Sequence, residues 1–449
     1  MGKLFGTDGI RGVANVEPMT AETALKVGKA IALMCSRQDH TPRILIGRDT
    51  RQSGTMFESA IAAGVCSMGA DALLAGVMTT PGVAFLTTSM RADAGIVISA
   101  SHNPYMDNGI KIFSKDGFKI ADAMEEELER LVLSGDPLPH PSPSLRVGLA
   151  SRIDDAPGRY IVFIKKSFPE EYSLEGMKVV LDCANGAAYR IAPEVFSELG
   201  AKVVTISHDP DGTNINEGCG SQHPEALAEE VVKNGADAGF AFDGDGDRVI
   251  AVDEQGSVLT GDHILALCAL SMKRRGELRN NLLVTTVMAN LGLKVAMRDH
   301  GVDLSFTDVG DRSVLEEMLK KGARIGGEQS GHIIFLDHHT SGDGIISALQ
   351  VLRVLREEKR PLSQLGKVMR VFPQRLINVE VKSKPDLDTI PEITSVVSQV
   401  ERLLGEDGRV LVRYSGTQRM CRVMVEGPTE EETEEYCRRI ARVIREKIG

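Results

Sequence analysis

Tryptophan is missing from this sequence, and phenylalanine and tyrosine bring the aromatic share to only 4%. A chain so poor in flat rings lacks the broad stacking platforms that suit a neutral polysaccharide. A sugar ligand would be held by hydrogen bonds and charge, which fits a phosphosugar better. Cysteine is sparse and scattered, at 35, 66, 183, 219, 268, 421 and 437, odd in number and with no CxxC pair. Neither a disulfide framework nor a zinc site is indicated, and a reducing compartment, the cytoplasm, is expected. No apolar run approaches the roughly 20 residues that span a bilayer. Met1–Gly6 brings a single lysine with no hydrophobic stretch behind it, so no secretory signal and no membrane partner are expected. The formal net charge is −11, with no block of lysine or arginine. Nucleic acid is therefore a poor partner, because its backbone rewards a clustered positive face. A GxSxG elbow, a Walker lysine loop and HExxH are also missing, so the common hydrolase and NTPase readings lack support.

What is present is an ordinary globular composition, 42% hydrophobic and 26% charged over 449 residues. That length corresponds to roughly three or four domains. One pattern recurs three times: a short apolar strand, a loop, a helix ending at a glycine, and a second strand. The first copy runs from Arg43–Gly47 through a helix over 57–68 to Gly69–Ala75. The second runs from Val179–Cys183 through 190–199 to Gly200–Ile206, and the third from Leu282–Thr286 through 291–300 to Gly301–Phe306. The glycines sit where a left-handed helix stop belongs, and strands alternating with helices imply mostly parallel sheets. Each copy then reaches another strand and an unusual polar loop: Ser99–Pro104, Asp243–Arg248 and Gly326–His332. Ligands of open α/β sheets bind beyond the carboxyl ends of the strands, so the three loops are expected to share one site. The tail reads as a smaller α+β domain, with strands at Leu376–Val381, Arg409–Arg413 and Cys421–Glu426 and helices over 391–404 and after Thr429. The last helix opens with a capping box, Thr429 with Glu432, and its spacing predicts Tyr436, Ile440, Val443, Ile444 and Ile448 as the buried face. The expected fold is α/β, three similar domains plus the α+β domain around a central cleft, with limits 1–155, 156–256, 257–369 and 370–449. The Pro-rich stretch Pro137–Pro143 is a stiff surface loop near the first limit.

The loops can be read as chemistry. Asp243-Gly-Asp-Gly-Asp247 alternates carboxylates with glycines that let the backbone bend sharply, so the acids can converge on one hard cation. An EF-hand is excluded: its sixth position would be Arg248 instead of glycine, and Val249–Val252 reads as a strand. Mg²⁺ suits the loop best if a phosphate oxygen completes its shell. Ser101, in Ser-His-Asn-Pro104 just past the apolar strand Ala94–Ser99, is placed to act as nucleophile or phosphate carrier, although a serine that merely helps a turn would look the same. Arg413-Tyr-Ser-Gly-Thr417, between two tail strands, offers a guanidinium, two hydroxyls and turn amides as a phosphate cradle.

Taken in order along essentially the whole chain, the motifs resemble the α-D-phosphohexomutase superfamily. They are Phe5-Gly-Thr-Asp-Gly-Ile-Arg-Gly12, Gly47-Arg-Asp-Thr-Arg51, Ser99-Ala-Ser-His-Asn-Pro104, Asn108-Gly-Ile-Lys111, Asp243–Arg248 and Gly327-Glu-Gln-Ser-Gly-His332. The Glu-Gln-Ser wording, with Asn214-Ile-Asn216 and Cys219-Gly-Ser221, is similar to the branch that acts on glucosamine phosphates. The resemblance implies an isomerase that interconverts glucosamine 6-phosphate and glucosamine 1-phosphate through a phosphoserine and a 1,6-bisphosphate, supplying UDP-N-acetylglucosamine and cell-wall synthesis. It implies Ser101 as phosphoserine, with Asp243, Asp245, Asp247 and a phosphate oxygen on Ser101 around one Mg²⁺ per chain. Glu328 and Ser330 would bind sugar hydroxyls, and Arg413, Ser415, Gly416, Thr417 and Arg422 the non-reacting phosphate. Arg11, Lys111 and Arg248 would line the reacting phosphate, with Lys111 or His332 moving the proton. A glucosamine 1,6-bisphosphate or similar bisphosphate would serve as activator, a small phosphosugar as partner, and a homodimer is the candidate assembly. The chain departs from the family pattern at Gln418-Arg419, where Glu-Pro is usual, and at Thr79, where proline is frequent. Alternatives are a phosphomannomutase or phosphoglucomutase of the same superfamily, a serine-dependent metallophosphatase, and a silent sugar-phosphate sensor.

Overall fold

Ala94–Ile98, Ala238–Phe242 and Ile325–Gly327 are buried along their whole lengths, as strands covered on both faces must be. Each is the third strand of one sequence copy. The computed structural model describes residues 4–6, 8–37, 40–134, 138–140, 146–415 and 419–449. Within these, the three copies share one topology. The opening strand is central and pairs in parallel with the second strand on one side and the third on the other. The third then turns back into an antiparallel fourth.

In the first copy Arg43–Arg48 lies between Asp71–Val77 and Ala94–Ile98, which returns as Asp107–Ser114. In the second, Lys178–Asp182 lies between Lys202–Ile206 and Ala238–Phe242, which returns as Val249–Asp253. In the third, Leu282–Thr286 lies between Asp303–Thr307 and Ile325–Gly327, which returns as Ile333–Phe335. The first sheet is extended by Ile10–Val13 and Ala150–Arg152, the second by Val258–Leu259. The helices expected from the spacing are Gly54–Ser67, Ile191–Glu198 and Leu291–Asp299. The first begins a turn earlier than its apolar pattern. Gly69, Gly200 and Gly301 have φ of 81°, 99° and 61°, the left-handed stop that their position required. All three polar loops therefore occupy one topological place, the turn from the third strand into the fourth.

The chain forms two compact units, Met1–Val287 with Asp303–Gly366, and Met288–Val302 with Lys367–Gly449. The second unit takes the crossover helix Leu291–Asp299 of the third copy together with the tail. Its sheet is antiparallel, in the order Gln374–Glu380, Met420–Glu426, Arg409–Tyr414. Pro391–Leu404 and Glu430–Ile448 pack on it. Thr429 Oγ1 accepts from Glu432 N at 3.3 Å, the first half of the predicted capping box, while the Glu432 carboxylate accepts from the Thr429 hydroxyl at 2.9 Å instead of from its backbone N–H. The predicted buried face is correct for Ile440, Ile444 and Ile448, but Tyr436 and Val443 are only partly buried. Thr433, Cys437 and Ala441 occupy the centre of the face instead, because their smaller side chains let the helix approach the sheet closely.

Beneath the first sheet, Ala21–Cys35 and Gly54–Ser67 touch at backbone distance. A Cβ on Gly28 would lie 2.3 Å from Ile61 O, and one on Gly64 2.2 Å from Leu25 O. Gly64→Ala is therefore expected to destabilise the protein by about 1–3 kcal/mol through overpacking. The measurement is the urea midpoint of unfolding, and an unchanged midpoint would contradict this packing.

Candidate active site

The site grows from the loop that follows Ala94–Ile98. Ser101 takes φ 54°, a left-handed conformation that a serine adopts only when its surroundings fix it. Arg51 supplies that fixation. Its side chain is fully buried, and all five guanidinium N–H groups have acceptors. Nε donates to Asp49 at 2.9 Å, Nη2 to Ser101 O at 3.0 Å and Asn103 O at 2.8 Å, and Nη1 to Asp107 O at 3.0 Å and to Pro104 O. Asp49 also accepts from Ser99 Oγ at 2.6 Å, and Ser99 Oγ accepts from Ser101 N at 2.9 Å. The loop is gripped by its own backbone carbonyls, which leaves the Ser101 hydroxyl for chemistry.

That hydroxyl donates to Asp243 Oδ2 at 2.6 Å, and Arg248 Nη1 donates to it at 3.2 Å. Asp243, Asp245 and Asp247 are buried, with one carboxylate oxygen from each lying within 4.8 Å of the others. Gly244 and Gly246 make the sharp turn possible. A Cβ on Gly244 would stand 2.6 Å from Ser101 O, and Gly246 has φ 72°. Asp245 Oδ2 receives Thr80 Oγ1 at 2.6 Å and Lys111 Nζ at 3.0 Å, while among the described residues its buried Oδ1 has no hydrogen-bond partner. Three carboxylates form a hard, anionic set, and among the described residues Asp245 Oδ1 and Asp247 Oδ1 are both buried without a hydrogen-bond partner, which fits a divalent cation of the Mg²⁺ type.

The cationic side of the site is dense. Lys111 Nζ lies 3.2 Å from Asp8, 3.0 Å from Asp245 and 3.5 Å from Asp247. Arg11, on the strand Ile10–Val13, pairs with Asp8, and Lys119 bridges Asp8 to Asp311. His332 stands between two acids, Nδ1 3.6 Å from Asp247 and Nε2 3.8 Å from Asp311. The Arg248 and His332 backbones bridge as an antiparallel pair, which ties the aspartate loop to the loop holding Glu328 and Ser330. Glu328 Oε1 accepts from Gly310 N at 3.1 Å, and Ser330 is exposed.

Charge states follow from this crowding. Burial, then the Asp247 and Asp245 charges, push Asp243 well above the usual carboxylate range. Burial works in the same direction on Asp247, but Lys111 and His332 outweigh it and hold that carboxyl low. Burial disfavours charge on Lys111, yet Asp245, Asp8 and Asp247 prevail and raise it. His332 is raised in the same way against its burial, by Asp247 and Asp311. His102 is lowered to about 4 by burial and the neighbouring Arg248 and Arg11.

In the second unit Arg413 and Arg422 are direct cross-strand partners, so two guanidiniums share one face of the sheet. Ser415, after the strand end, is buried and its N–H donates to Met420 O at 2.8 Å. Gly416 and Thr417, with Gln418, lie outside the described residues.

The structure thus brings together Ser101, the three aspartates, Arg11, Lys111, Arg248 and His332, with Glu328 on the adjoining loop. Asp49, Arg51, Asp8, Thr80, Lys119 and Asp311 escaped the sequence reading. Asp8, Asp49 and Arg51 sit inside quoted motifs without an assigned role, whereas Thr80, Lys119 and Asp311 carry no local signal.

Comparison with known proteins bears on the whole chain. Four consecutive stretches match the phosphoglucomutase/phosphomannomutase family: α/β/α domain I over residues 2–138, domain II over 158–256, domain III over 260–372 and the C-terminal domain over 376–443. A protein of Syntrophus aciditrophicus named phosphoglucosamine mutase is 62% identical over 452 residues, covering 100% of both chains. Among solved structures, a phosphoglucomutase/phosphomannomutase family protein of Burkholderia thailandensis has a TM-score of 0.79 at 23% identity, covering 99% of this chain and 97% of that one. The Aspergillus fumigatus N-acetylphosphoglucosamine mutase, solved with GlcNAc-6P and magnesium, has a TM-score of 0.69 at 17% identity and covers 99% and 95%.

The aspartate triad generates a direct test. Asp245→Asn is expected to weaken Mg²⁺ binding by about tenfold or more, the lower end of what even outer-shell partners cost. Calorimetric titration of the purified protein with Mg²⁺ measures this, and unchanged affinity would remove the triad from the metal site.

Proposed function

The chain belongs to the phosphoglucomutase/phosphomannomutase family, and we propose that it interconverts glucosamine 6-phosphate and glucosamine 1-phosphate with Ser101 as the phosphoryl carrier. The observation that carries this reading is the Ser101 hydroxyl, held 2.6 Å from Asp243 at the edge of three buried carboxylates and 3.2 Å from Arg248. The sugar assignment rests on the full-length 62% identity to a phosphoglucosamine mutase.

The carrier cycles between phosphoserine and serine. The sugar C1 hydroxyl attacks the phosphorus on Ser101, so the new O1–P bond forms as the Ser101 Oγ–P bond breaks. One proton passes from the sugar hydroxyl to Ser101 Oγ as the phosphoryl group moves, with Lys111 or His332 as the group that transfers it. Glucosamine 1,6-bisphosphate then turns over, and Ser101 Oγ attacks the 6-phosphoryl group. The O6–P bond breaks, glucosamine 1-phosphate leaves, and phosphoserine is restored. Phosphoryl transfer depends mainly on positioning and charge stabilisation, and Arg11, Lys111 and Arg248 supply cations there. Asp243, Asp245 and Asp247 would hold Mg²⁺, which when bound offsets charge on the transferring group. Glu328 and Ser330 take the sugar hydroxyls, and Arg413, Ser415, Gly416, Thr417 and Arg422 the phosphate that is not reacting. The cross-strand placement of Arg413 and Arg422 supports that role, because two guanidiniums on one face of a sheet can offer parallel N–H donors to a phosphate.

Domain limits at 155/156, 256/257 and 369/370, a bisphosphate activator and a cytoplasmic setting belong to the same proposal. Among the described residues no helix is long and apolar enough to cross a membrane. The homodimer expected as an assembly has no support in these likenesses.

Ser101→Ala is expected to abolish turnover with little change in unfolding midpoint, since a small loop hydroxyl contributes little to stability. Intact-mass analysis after incubation with glucose 1,6-bisphosphate should show one phosphate on wild type, mapped to Ser101, and none on the variant; near-normal activity of the variant would overturn the carrier. Initial rates on glucosamine, glucose and mannose 6-phosphates decide the sugar. A preference for mannose or glucose by about tenfold, ~1.4 kcal/mol in transition-state binding, would favour a phosphomannomutase or phosphoglucomutase. Steady release of phosphate without isomerised sugar would favour a phosphatase.

A further inference from the structure

The two carbonyls that Arg51 grips are gripped a second time, from another sequence copy. Asn216 follows the strand Lys202–Ile206 of the second copy, whereas Ser101 belongs to the first. Its Nδ2 donates to Ser101 O at 2.9 Å and to Asn103 O at 3.1 Å, using both amide protons. Each carbonyl thus has two donors, one guanidinium N–H from its own copy and one amide N–H from the next. Arg51 travels with the serine loop, so it cannot set where that loop stands relative to Asp243. Asn216 can, because it belongs to the same copy as the aspartate loop. Gly244 packs into the corner between them: a Cβ there would lie 2.6 Å from Ser101 O and 2.8 Å from Asn216 Nδ2. Asn216 itself has φ 58°, a conformation that asparagine, aspartate and glycine tolerate, and its N–H is fixed to Ala184 O at 2.9 Å. Nothing in the local sequence needs an amide at that position. Its two donors both serve the carrier loop.

We propose that Asn216 is a positioning residue for phosphoryl transfer, which holds the backbone of the carrier loop against the aspartate loop so that Ser101 Oγ stays in register with Asp243. The proposal rests on Ser101 being the carrier. Both amide protons of Asn216 are used on the carrier loop, so its loss should appear in the chemical step and leave substrate binding alone. Misplacement on the scale of an ångström costs on the order of 100-fold in rate when reacting groups must align.

The test compares Asn216→Asp, which keeps shape and backbone tolerance but presents a carboxylate to the two carbonyls, with Asn216→Gly, which keeps only the backbone tolerance. Asn185→Gly is the matched control. It has φ 47°, and among the described residues its side chain bonds within the second copy, to Asn214 O and Asp209 N. All four proteins are loaded with glucose 1,6-bisphosphate and weighed, melted, and assayed with glucosamine 6-phosphate. Both Asn216 variants should lose about 10- to 100-fold in kcat. Their KM should stay within about twofold, and their melting midpoints should match the control. Retained kcat in Asn216→Asp and Asn216→Gly, with wild type loaded on Ser101, would overturn the proposal and leave the carrier reading standing. A fall in melting midpoint with a matching rise in KM would reduce Asn216 to a structural contact and overturn it equally. Failure of wild type to load Ser101 would remove the carrier and the proposal together.

Discussion

Three carboxylates buried within 4.8 Å of one another set the terms for everything around them. Like charges in a low-dielectric interior repel strongly, and each has lost its water. The surrounding residues are what make the arrangement tolerable. Lys111 is shared between Asp245, Asp247 and Asp8, Arg248 leans on Asp243, and His332 is caught between Asp247 and Asp311. Lys119 then balances Asp8 and Asp311. An overall charge of −11 therefore says little about this region, where cations and carboxylates interleave. Burial and the neighbouring Asp247 and Asp245 charges push Asp243 up, and it is the acid that receives the Ser101 hydroxyl. A cation and a phosphoryl group would enter where charge is still unbalanced.

The repeated topology explains why such a cluster can be assembled at all. Each copy makes the same turn from a buried parallel strand into an antiparallel return strand, and each spends that turn on one functional loop. The Ser101 loop, the aspartate loop and the His332 loop are equivalent places in equivalent sheets. Their cross-connections are then short. Ser101 meets Asp243, Thr80 N donates to Asp245 O at 2.9 Å, and the Arg248 and His332 backbones pair. Rigid, fully buried strands behind every loop keep the groups within the small tolerance that phosphoryl transfer demands.

Arg51 shows how a residue that donates only to the backbone and to Asp49 can govern a site. Its fork is fully used on the backbone of the serine loop and on Asp49, and its charge is neutralised by a carboxylate that is equally buried. The pair acts as a bracket. The left-handed Ser101 is the strained product of that bracket, and the aim of its buried hydroxyl at Asp243 depends on the backbone being unable to relax.

The sequence by itself determined the three copies, their glycine stops, the α+β tail and the loops that carry Ser101 and the aspartates. Those features are written in spacing along the chain: runs of apolar residues with strand length, glycines at helix ends, carboxylates alternating with glycine. It also brought Lys111, Arg248 and His332 into view through motifs around them. What only the tertiary structure decided is which distant groups meet. Lys119 reaches Asp311 across 192 residues and Asn216 reaches Ser101 across 115, and no periodicity marks either partner. The inner face of the last helix was misread at Tyr436 and Val443 for a related reason, since helical spacing gives a stripe but the approach of the sheet selects its centre. Local signals come from what each residue can do next to its neighbours. Partners held by a hydrogen bond across the fold need only the right atom in the right place, and that place exists only once the chain has folded.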